Sequence, residues 1–562
     1  MLQNEIDFRT FVEMAAGFQP MDWQCRLACG PVVDSSSPEA LLTGSECTSR
    51  LVDIPTGFGK TAGAVFAWFW NRVVLRNPRW PRRLVYCLPM RTLVEQVERD
   101  VLLWVLRLGL SATNRDTPER ANVDDRIAGL SADDVKWVRT PLQDHTGQIP
   151  IEAFLVHRLP RPSQLLLTWL AEHSPIVLMG GEDLDERRRQ WDLHPEKPAI
   201  IIGTQDMLLS RALNRGYGMS RYRWPMHFGL LNTDCLWILD EVQLMSSGLT
   251  TSLQLQAWRE HLPLRCSTRG AQGGNNRAAP LPTYSWWMSA TSAEHWLKKS
   301  VAMHSHVETL WKERLTLDRQ KESQDLFAVP KTLRRSCLSL RTPAGGQDHS
   351  VWAEYGNAFA IHLANPRNRI GKRQASHAAD SEDLLTLVVC NTVERAVAVY
   401  RALKALKENT SQDTLFDDDH LLLLHSRFRG RERANWAEKI RAFEKGEGRH
   451  AGPRVIVATQ VVEAGVDLSA SVLYTELCPL ASLIQRLGRC ARRAGEAGLA
   501  FWIDFDAFAQ ASEEISANQD AAARPYETEE IKAARDLLIN AENRALDVLA
   551  RDAAGRAESF HG

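Results

Sequence analysis

At 562 residues, 44% of them hydrophobic and 24% charged, the chain is too long for one core and has an ordinary globular balance. Three or four units of roughly 100–200 residues each are expected. A formal net charge of −1 excludes a globally basic nucleic-acid binder, while leaving room for a basic groove between domains with acidic outer faces. Ten scattered Cys with no CxxC argue against a zinc or disulfide framework. The start MLQNEIDFRTF lacks a signal-peptide pattern, and the apolar run Ala64–Trp70 is far short of a membrane span. A soluble cytoplasmic protein without membrane association is expected.

Along the chain, short runs rich in Val, Ile and Leu are bounded by polar or turn residues. They are Arg83–Leu88, Pro198–Ile202, Leu236–Leu239, Thr386–Cys390, Leu421–Leu424, Arg454–Ala458 and Leu499–Ile503. Each is continuous rather than alternating, as in strands covered on both faces. Helical stretches such as Thr92–Val105 and Glu394–Lys407 lie between them. Strand and helix alternate twice over, which predicts parallel sheets in two α/β domains. The eighteen Trp supply core and interface mass.

Between the halves, 265–283 reads as a long mobile loop, either an inert insertion or a nucleic-acid contact. The break falls within 300–380, with a charge-mixed helix over Trp311–Asp325 and a Pro-bounded start at Val329-Pro330. Over 527–550, Ile531, Ala534, Leu538, Ala541, Ala545 and Leu549 form one helical face, read as packing onto the second domain rather than as a functional arm.

Three stretches carry chemistry. Ile54-Pro-Thr-Gly-Phe-Gly-Lys-Thr61 follows the apolar Leu51-Val52 and precedes a helix-like AGAVFAWFW. It departs from GxxxxGK[ST] only at Ile54. Gly57 and Gly59 let backbone N–H groups approach phosphate, Lys60 reaches the β/γ-phosphates, and Thr61 suits Mg²⁺. CLWILDEVQLM, at 235–245, ends an apolar run in two carboxylates. A phosphate loop needs a strand-end carboxylate for Mg²⁺ and a group that activates water, so Asp240 takes the first role and Glu241 the second. In Leu483–Arg492, arginines at 486, 489 and 492 recur every three residues, so a helix would project them on one side. Far in sequence from a phosphate loop, such cations serve as arginine fingers; alone they would be a solvated basic face.

These motifs resemble a superfamily 2 helicase, in order along most of the chain. Phe18-Gln-Pro-Met-Asp-Trp-Gln24 is similar to the adenine-reading Q motif and Leu88–Gln96 to motif Ia. Gly203-Thr-Gln-Asp206 resembles a backbone-gripping loop, Ser289-Ala-Thr291 motif III, and Cys390-Asn-Thr392 with Leu424-His-Ser-Arg427 motif IV and its neighbour. Ala458–Leu468 is similar to motif V and Gln485–Arg492 to motif VI. Within the superfamily, LPMRTLVEQ, GTQDMLLSRAL and ATQVVEAGVDLS resemble the CRISPR-associated helicase of type I interference, and Arg211–Met245 is most like the type I-G variant, formerly I-U.

The resemblance implies an α/β fold of two tandem RecA-like domains with parallel sheets, plus a short helical C-terminal segment. Domain 1 would span 1–300, a linker and the start of domain 2 301–380, the body of domain 2 381–505, and the C-terminal segment 506–562. The implied cofactors are ATP and Mg²⁺. Nucleotide contacts fall on Gln24, Thr56, Gly57, Gly59, Lys60, Thr61, Gly465 and Asp467, with Thr61 and Asp240 on the metal. Catalysis falls on Glu241, Asp240, Lys60, Gln485, Arg489 and Arg492. Coupling falls on Ser289, Thr291 and Gln243, the last in place of the usual histidine, with Gln460 reporting the nucleotide state. Backbone contacts to nucleic acid fall on Arg91, Thr92, Thr204, Gln205, Thr392 and Thr459; each Thr taken alone would be a helix cap.

The implied activity is an ATP-dependent, 3′-to-5′ translocase on single-stranded DNA, recruited by an RNA-guided, Cascade-type surveillance complex. The rival expectations are an RNA helicase and an ATP-gated DNA-binding module that recruits a nuclease. The sixteen His include no His followed by Asp, so an HD nuclease is expected as a separate protein or in a segment cut from this chain.

Overall fold

The computed structural model describes residues 6–30, 41–55, 57–113, 135–143, 150–156, 169–170, 172–180, 191–270, 281–289, 297–298, 307–317, 329, 331–341, 349–365, 385–406, 419–428, 436–445, 453–463, 466, 468–492, 496–508 and 517–542. The chain divides into two compact units, Met1–Glu322 and Ser323–Gly562.

The first unit carries β1 (Arg50–Asp53), β2 (Arg83–Leu88), β3 (Val135–Gln143), β4 (Pro150–Val156), β5 (Ile176–Leu178), β6 (Ala199–Thr204), β7 (Cys235–Asp240), β8 (Tyr284–Ser289) and β9 (Leu315–Thr316). Seven of these form one sheet in the order β5-β6-β2-β7-β8-β1-β9, every pair parallel, while β3 and β4 pair antiparallel apart from it. β2 and β7 are buried along their whole length, as their continuous apolar runs require. The carboxyl ends of β2, β7 and β8 bring Leu88, Asp240 and Ser289 to one edge, where ligands of open α/β sheets bind.

The second unit carries β10 (Lys331–Leu340), β11 (Leu385–Val389), β12 (Leu421–Leu424), β13 (Arg454–Ala458), β14 (Val472–Glu476) and β15 (Gly498–Phe505) in the all-parallel order β10-β15-β14-β11-β13-β12. Side chains alternate between two cores. Leu385, Leu387, Val389, Ile456 and Ala458 enter one, and Val388, Val455, Val457, Tyr474 and Trp502 the other. Both faces are therefore covered, so neither shows a polar stripe in sequence. A helix over 528–542 lays Ile531 and Leu538 into the second core, and its Arg535 pairs with buried Asp504 at 2.8 Å.

The structure corrects two expectations. The helix Ser247–Gly270 runs through the start of the expected 265–283 loop. Its upstream turns are pinned by Ser252 on Trp287, Gln256 on Ser285 and Arg259 on Asn232; residues 271–280 lie outside the described residues. Of the expected helix over Trp311–Asp325, residues 311–312 end a helix Val307–Lys312 and β9 follows beside β1, while 318–325 lie outside the described residues. Arg314 there lies over the Trp311 ring at 4.2 Å and pairs with Asp53, and Arg26 donates to Thr316 O, so edge pairing wins over helix propensity.

The helices His349–Ala364 and Val393–Ala405 meet at Gly356, where a Cβ would stand 2.6 Å from the Ala398 carbonyl oxygen. Gly356→Ala should destabilise the second unit by about 1–3 kcal/mol, as overpacking does. A denaturant midpoint equal to that of the parent chain would show that these helices are not in close contact.

Candidate active site

The phosphate loop follows β1. Gly57 and Gly59 sit at φ +91° and +70°, where a side chain is strained, and Lys60 opens the helix Lys60–Trp68. Thr56 lies outside the described residues. Residues of the Q-like stretch hold this loop from behind. Trp23 Nε1 donates to Phe58 O at 3.2 Å, Gln24 Nε2 donates to Gly59 O at 2.9 Å, and Gln24 Oε1 accepts from Met21 N. Gln24 is 2% exposed, and both ends of the amide expected to read adenine are engaged within the chain, at Gly59 O and Met21 N.

Asp240 and Glu241 stand at the end of β7, 4% and 9% exposed. Glu241 adopts a left-handed conformation, φ 52° and ψ 49°, which turns its side chain off the strand line. Asp240 Oδ1 accepts from Glu241 N, and Oδ2 accepts from the Tyr86 hydroxyl at 2.8 Å. Burial, and then the adjacent Glu241 charge, push the Asp240 carboxyl up to about 6 against the pull of Lys60. Burial and the Asp240 charge push the Tyr86 phenol well above its usual range, so it remains a donor.

Lys60 Nζ donates to Ile54 O at 3.2 Å and lies 3.5 Å from Glu241 Oε1. Gln243 Nε2 donates to Glu241 Oε2, and Gln243 Oε1 accepts from the Ser289 hydroxyl at 2.8 Å. Lys60, Glu241, Gln243 and Ser289 thus form one continuous polar chain from the phosphate loop to the end of β8. Thr291 lies outside the described residues.

In the second unit the arginine spacing is misleading. The helix Leu480–Leu487 stops before Gly488, so only Arg486 is helical, and it is fully buried. Its guanidinium meets Glu463 Oε1 at 2.8 Å, Thr475 Oγ1 at 2.8 Å, Asn391 Oδ1 at 3.0 Å and the Tyr526 hydroxyl at 3.0 Å. Arg489 lies past the helix, its guanidinium donating to the carbonyls of Val462 and Glu463, and a bridge between Ala470 and Cys490 carries the chain away from helical geometry. Arg492 follows, its N–H donating to Ser469 Oγ, and Gln485 is buried. Gln460 Nε2 donates to Asn391 O at 2.6 Å. Gly465 and Asp467 lie outside the described residues.

The residues expected on nucleic acid sit just past strand ends. Arg91 and Thr92 open the helix after β2, and Thr204 and Gln205 join β6 to a helix. Thr392 caps the helix Val393–Ala405 by accepting from Arg395 N, and Thr459, 2% exposed, follows β13. Tyr86, Asn391, Glu463, Glu476 and Tyr526 were not singled out in the sequence. The one local signal was Tyr86, a hydroxyl inside the otherwise apolar run LVYCL.

Two all-parallel sheets, with a glycine loop opening a helix and strand-end carboxylates on the first, define a tandem RecA-like fold. Residues 382–495 match the family model of the C-terminal part of CRISPR-associated nuclease/helicase Cas3. A putative CRISPR-associated nuclease/helicase Cas3 from Methanocaldococcus jannaschii is 36% identical over 106 residues, 19% of this chain and 13% of that protein. The CRISPR-associated endonuclease/helicase Cas3 of Escherichia coli K12 is 36% identical over 116 residues, 20% of this chain and 12% of that protein. The crystal structure of T. fusca Cas3-ATP superposes with a TM-score of 0.50 at 13% identity, covering 96% of this chain and 51% of that one. This chain therefore spans about half the length of that structure. By these likenesses residues 382–495 resemble the C-terminal part of CRISPR-associated nuclease/helicase Cas3, and the chain shares its two-unit α/β fold with that structure.

Two substitutions test the buried partners. Arg486→Met leaves Glu463 buried without its cation and should destabilise the second unit by about 3–5 kcal/mol, read in a denaturant melt. Tyr86→Phe removes one donor to Asp240 while keeping the ring. It should raise the Mg²⁺ concentration needed for binding of a fluorescent ADP analogue, with metal-free nucleotide affinity unchanged. An unaltered Mg²⁺ titration would show that Tyr86 has no part in holding Asp240.

Proposed function

We propose that this chain is an ATP-dependent translocase on single-stranded DNA that unwinds target DNA in type I CRISPR interference. The observation that carries the reading is the chain Lys60–Glu241–Gln243–Ser289, in which a hydrolytic carboxylate is joined both to a phosphate-binding lysine and to the serine of the motif III-like stretch. The resemblance of Arg211–Met245 supports a type I-G-like role, 3′-to-5′ movement, and recruitment by an RNA-guided, Cascade-type complex. Strand cleavage would come from a nuclease domain or protein acting with this chain.

The donor set fits Mg²⁺. The Asp240 carboxylate, one oxygen of which accepts from the Tyr86 phenol, and the Thr61 hydroxyl are hard oxygen donors in small number, which suit an ion that completes its shell with phosphate and water. Among the described residues no group of three or more His, Cys, Asp or Glu converges as an all-protein metal cage, and this chemistry does not call for one. When bound, Mg²⁺ neutralises charge on the β- and γ-phosphates.

The protein supplies the other steps. Backbone N–H groups at Gly57 and Gly59 hold phosphate oxygens, helped by the amino end of the helix Lys60–Trp68. Lys60 exchanges Glu241 for the β/γ-phosphates as ATP enters. Glu241, released from that ion pair and still gripped by Gln243, accepts the proton of the attacking water. Its change of partner alters the acceptor that Gln243 and then Ser289 meet, which carries the nucleotide state to the end of β8. Arg489 and Arg492 are assigned to charge stabilisation during hydrolysis, Arg489 with its backbone carbonyl contacts already in place. Arg91, Thr92, Thr204, Gln205, Thr392 and Thr459 are assigned to DNA phosphates, contacts that carry no sequence information.

The test is ATPase activity with and without single-stranded DNA. Glu241→Gln should reduce turnover about 10²–10⁴-fold while leaving ATP binding intact. Arg492→Ala should remove about 10³–10⁵ of the DNA-stimulated rate. Wild-type turnover in Glu241→Gln would overturn the mechanism, and stimulation by RNA but not DNA would reassign the polymer.

A further inference from the structure

The residues between the helices Gln205–Ala212 and Trp224–Asn232 have a composition that the ATPase reading does not use. Residues 207–233 contain four Arg and no Asp, Glu or Lys. Tyr222 is 97% exposed and Tyr217 67% exposed, and Arg215 and Arg221 are exposed beside them. A tyrosine so fully in water contributes almost nothing to the core.

The segment is nevertheless firmly held. Arg223 binds the buried carboxylate of Asp192 through Nε at 3.1 Å and Nη2 at 2.6 Å, and His227 Nε2 meets the same carboxylate at 2.7 Å. The edge of Trp191 packs on His227 at 4.9 Å. At the other end, Arg215 N donates to Ser210 O at 2.8 Å, Tyr217 N to Ser210 Oγ, and Asn232 closes the base on Ala212 O at 2.9 Å. Arg221 rests over the Trp224 ring at 5.8 Å. The anchoring carboxylate is buried and met by Arg223, so it does not offset the positive charge presented outward.

We propose that 213–223 is a stacking platform for single-stranded DNA, in which Tyr217 and Tyr222 receive bases and Arg215 and Arg221 receive phosphates. Exposed aromatic faces interleaved with guanidinium groups are the chemistry by which proteins hold single strands without reading sequence. Pinning by Asp192 lowers the ordering entropy lost on binding. The eight-residue helix Gln205–Ala212 sets the platform about 12 Å from Thr204, the strand-end group assigned above to the DNA backbone. That distance is a few nucleotides at the ~3.4 Å spacing of stacked bases. The inference rests on the translocase reading and adds to it a second, base-stacking contact outside the helicase motifs.

The experiment is fluorescence anisotropy of a labelled oligothymidylate with the full chain, over a series of salt concentrations. The double variant Tyr217→Ala/Tyr222→Ala should bind at least about tenfold more weakly with an unchanged salt slope. Arg215→Gln/Arg221→Gln should lower the salt slope by about two. Both should keep wild-type ATPase activity in the absence of DNA. If the wild-type chain binds the oligonucleotide and the tyrosine variant binds it equally, the platform is refuted while the translocase reading stands; the surface then belongs to another class of partner. If the wild-type chain binds no oligonucleotide, the translocase reading itself fails and the platform falls with it.

Discussion

Two adjacent carboxylates at the end of a buried strand set the terms for the first unit. Asp240 and Glu241 are both less than a tenth exposed, and like charges so close and so dry disfavour one another. They persist because each has a separate partner. The Tyr86 phenol serves Asp240, and the Lys60 ammonium and Gln243 amide serve Glu241. Those partners come from β2, from the phosphate loop after β1 and from the turn after β7, so the pair is stable only where those strand ends meet. The order β2-β7-β8-β1 is the topology that delivers them. Burial first, and then that repulsion, raise the Asp240 carboxyl, and the shift marks the position where a cation is most favourable.

The second unit applies the same rule with opposite emphasis. Buried carboxylates Glu463 and Glu476 are matched by buried guanidinium groups, Arg486 and Arg395, and Asn391 bonds to both systems. The result ties the motif IV-like, V-like and VI-like stretches into one hydrogen-bonded body through Asn391, Gln460, Glu463, Arg486 and Arg489. Such a network transmits strain poorly through soft contacts and well through fixed ones, because breaking any member leaves a buried charge unmatched. The charged groups are therefore structural first.

Local patterning made the strands legible. Continuous apolar runs placed β2, β12 and β13 to the residue and β6, β7, β11 and β15 within one or two residues, because burial on both faces leaves a clear compositional trace, while β8, β10 and β14 were not among those runs. The phosphate loop and the carboxylate pair were legible for a related reason: their chemistry demands particular residues at fixed spacing. What was hidden depends on partners distant in sequence. A three-residue arginine spacing looks helical until Gly488 ends the helix and Arg486 turns inward to Glu463. The basic, glycine-rich start of 265–283 looks like a loop until the helix Ser247–Gly270 is anchored by Trp287, Ser285 and Asn232. Tyr86 was unremarked because a lone phenol in a strand reveals its role only when Asp240 lies 2.8 Å away.

Gln243 occupies the position where related motifs carry histidine, and its geometry shows why the exchange is tolerated. The task is to give one hydrogen bond to Glu241 and to take one from Ser289. A carboxamide has a permanent donor at one end and a permanent acceptor at the other, so it performs both without choosing a tautomer. A histidine does so only as the neutral imidazole, because protonation turns both nitrogens into donors and removes the acceptor facing Ser289. The glutamine relay is thus insensitive to pH across the range where imidazole titrates. Glutamine at this position leaves Asp240 and Glu241 in place and fixes the polarity of the link between Glu241 and the end of β8.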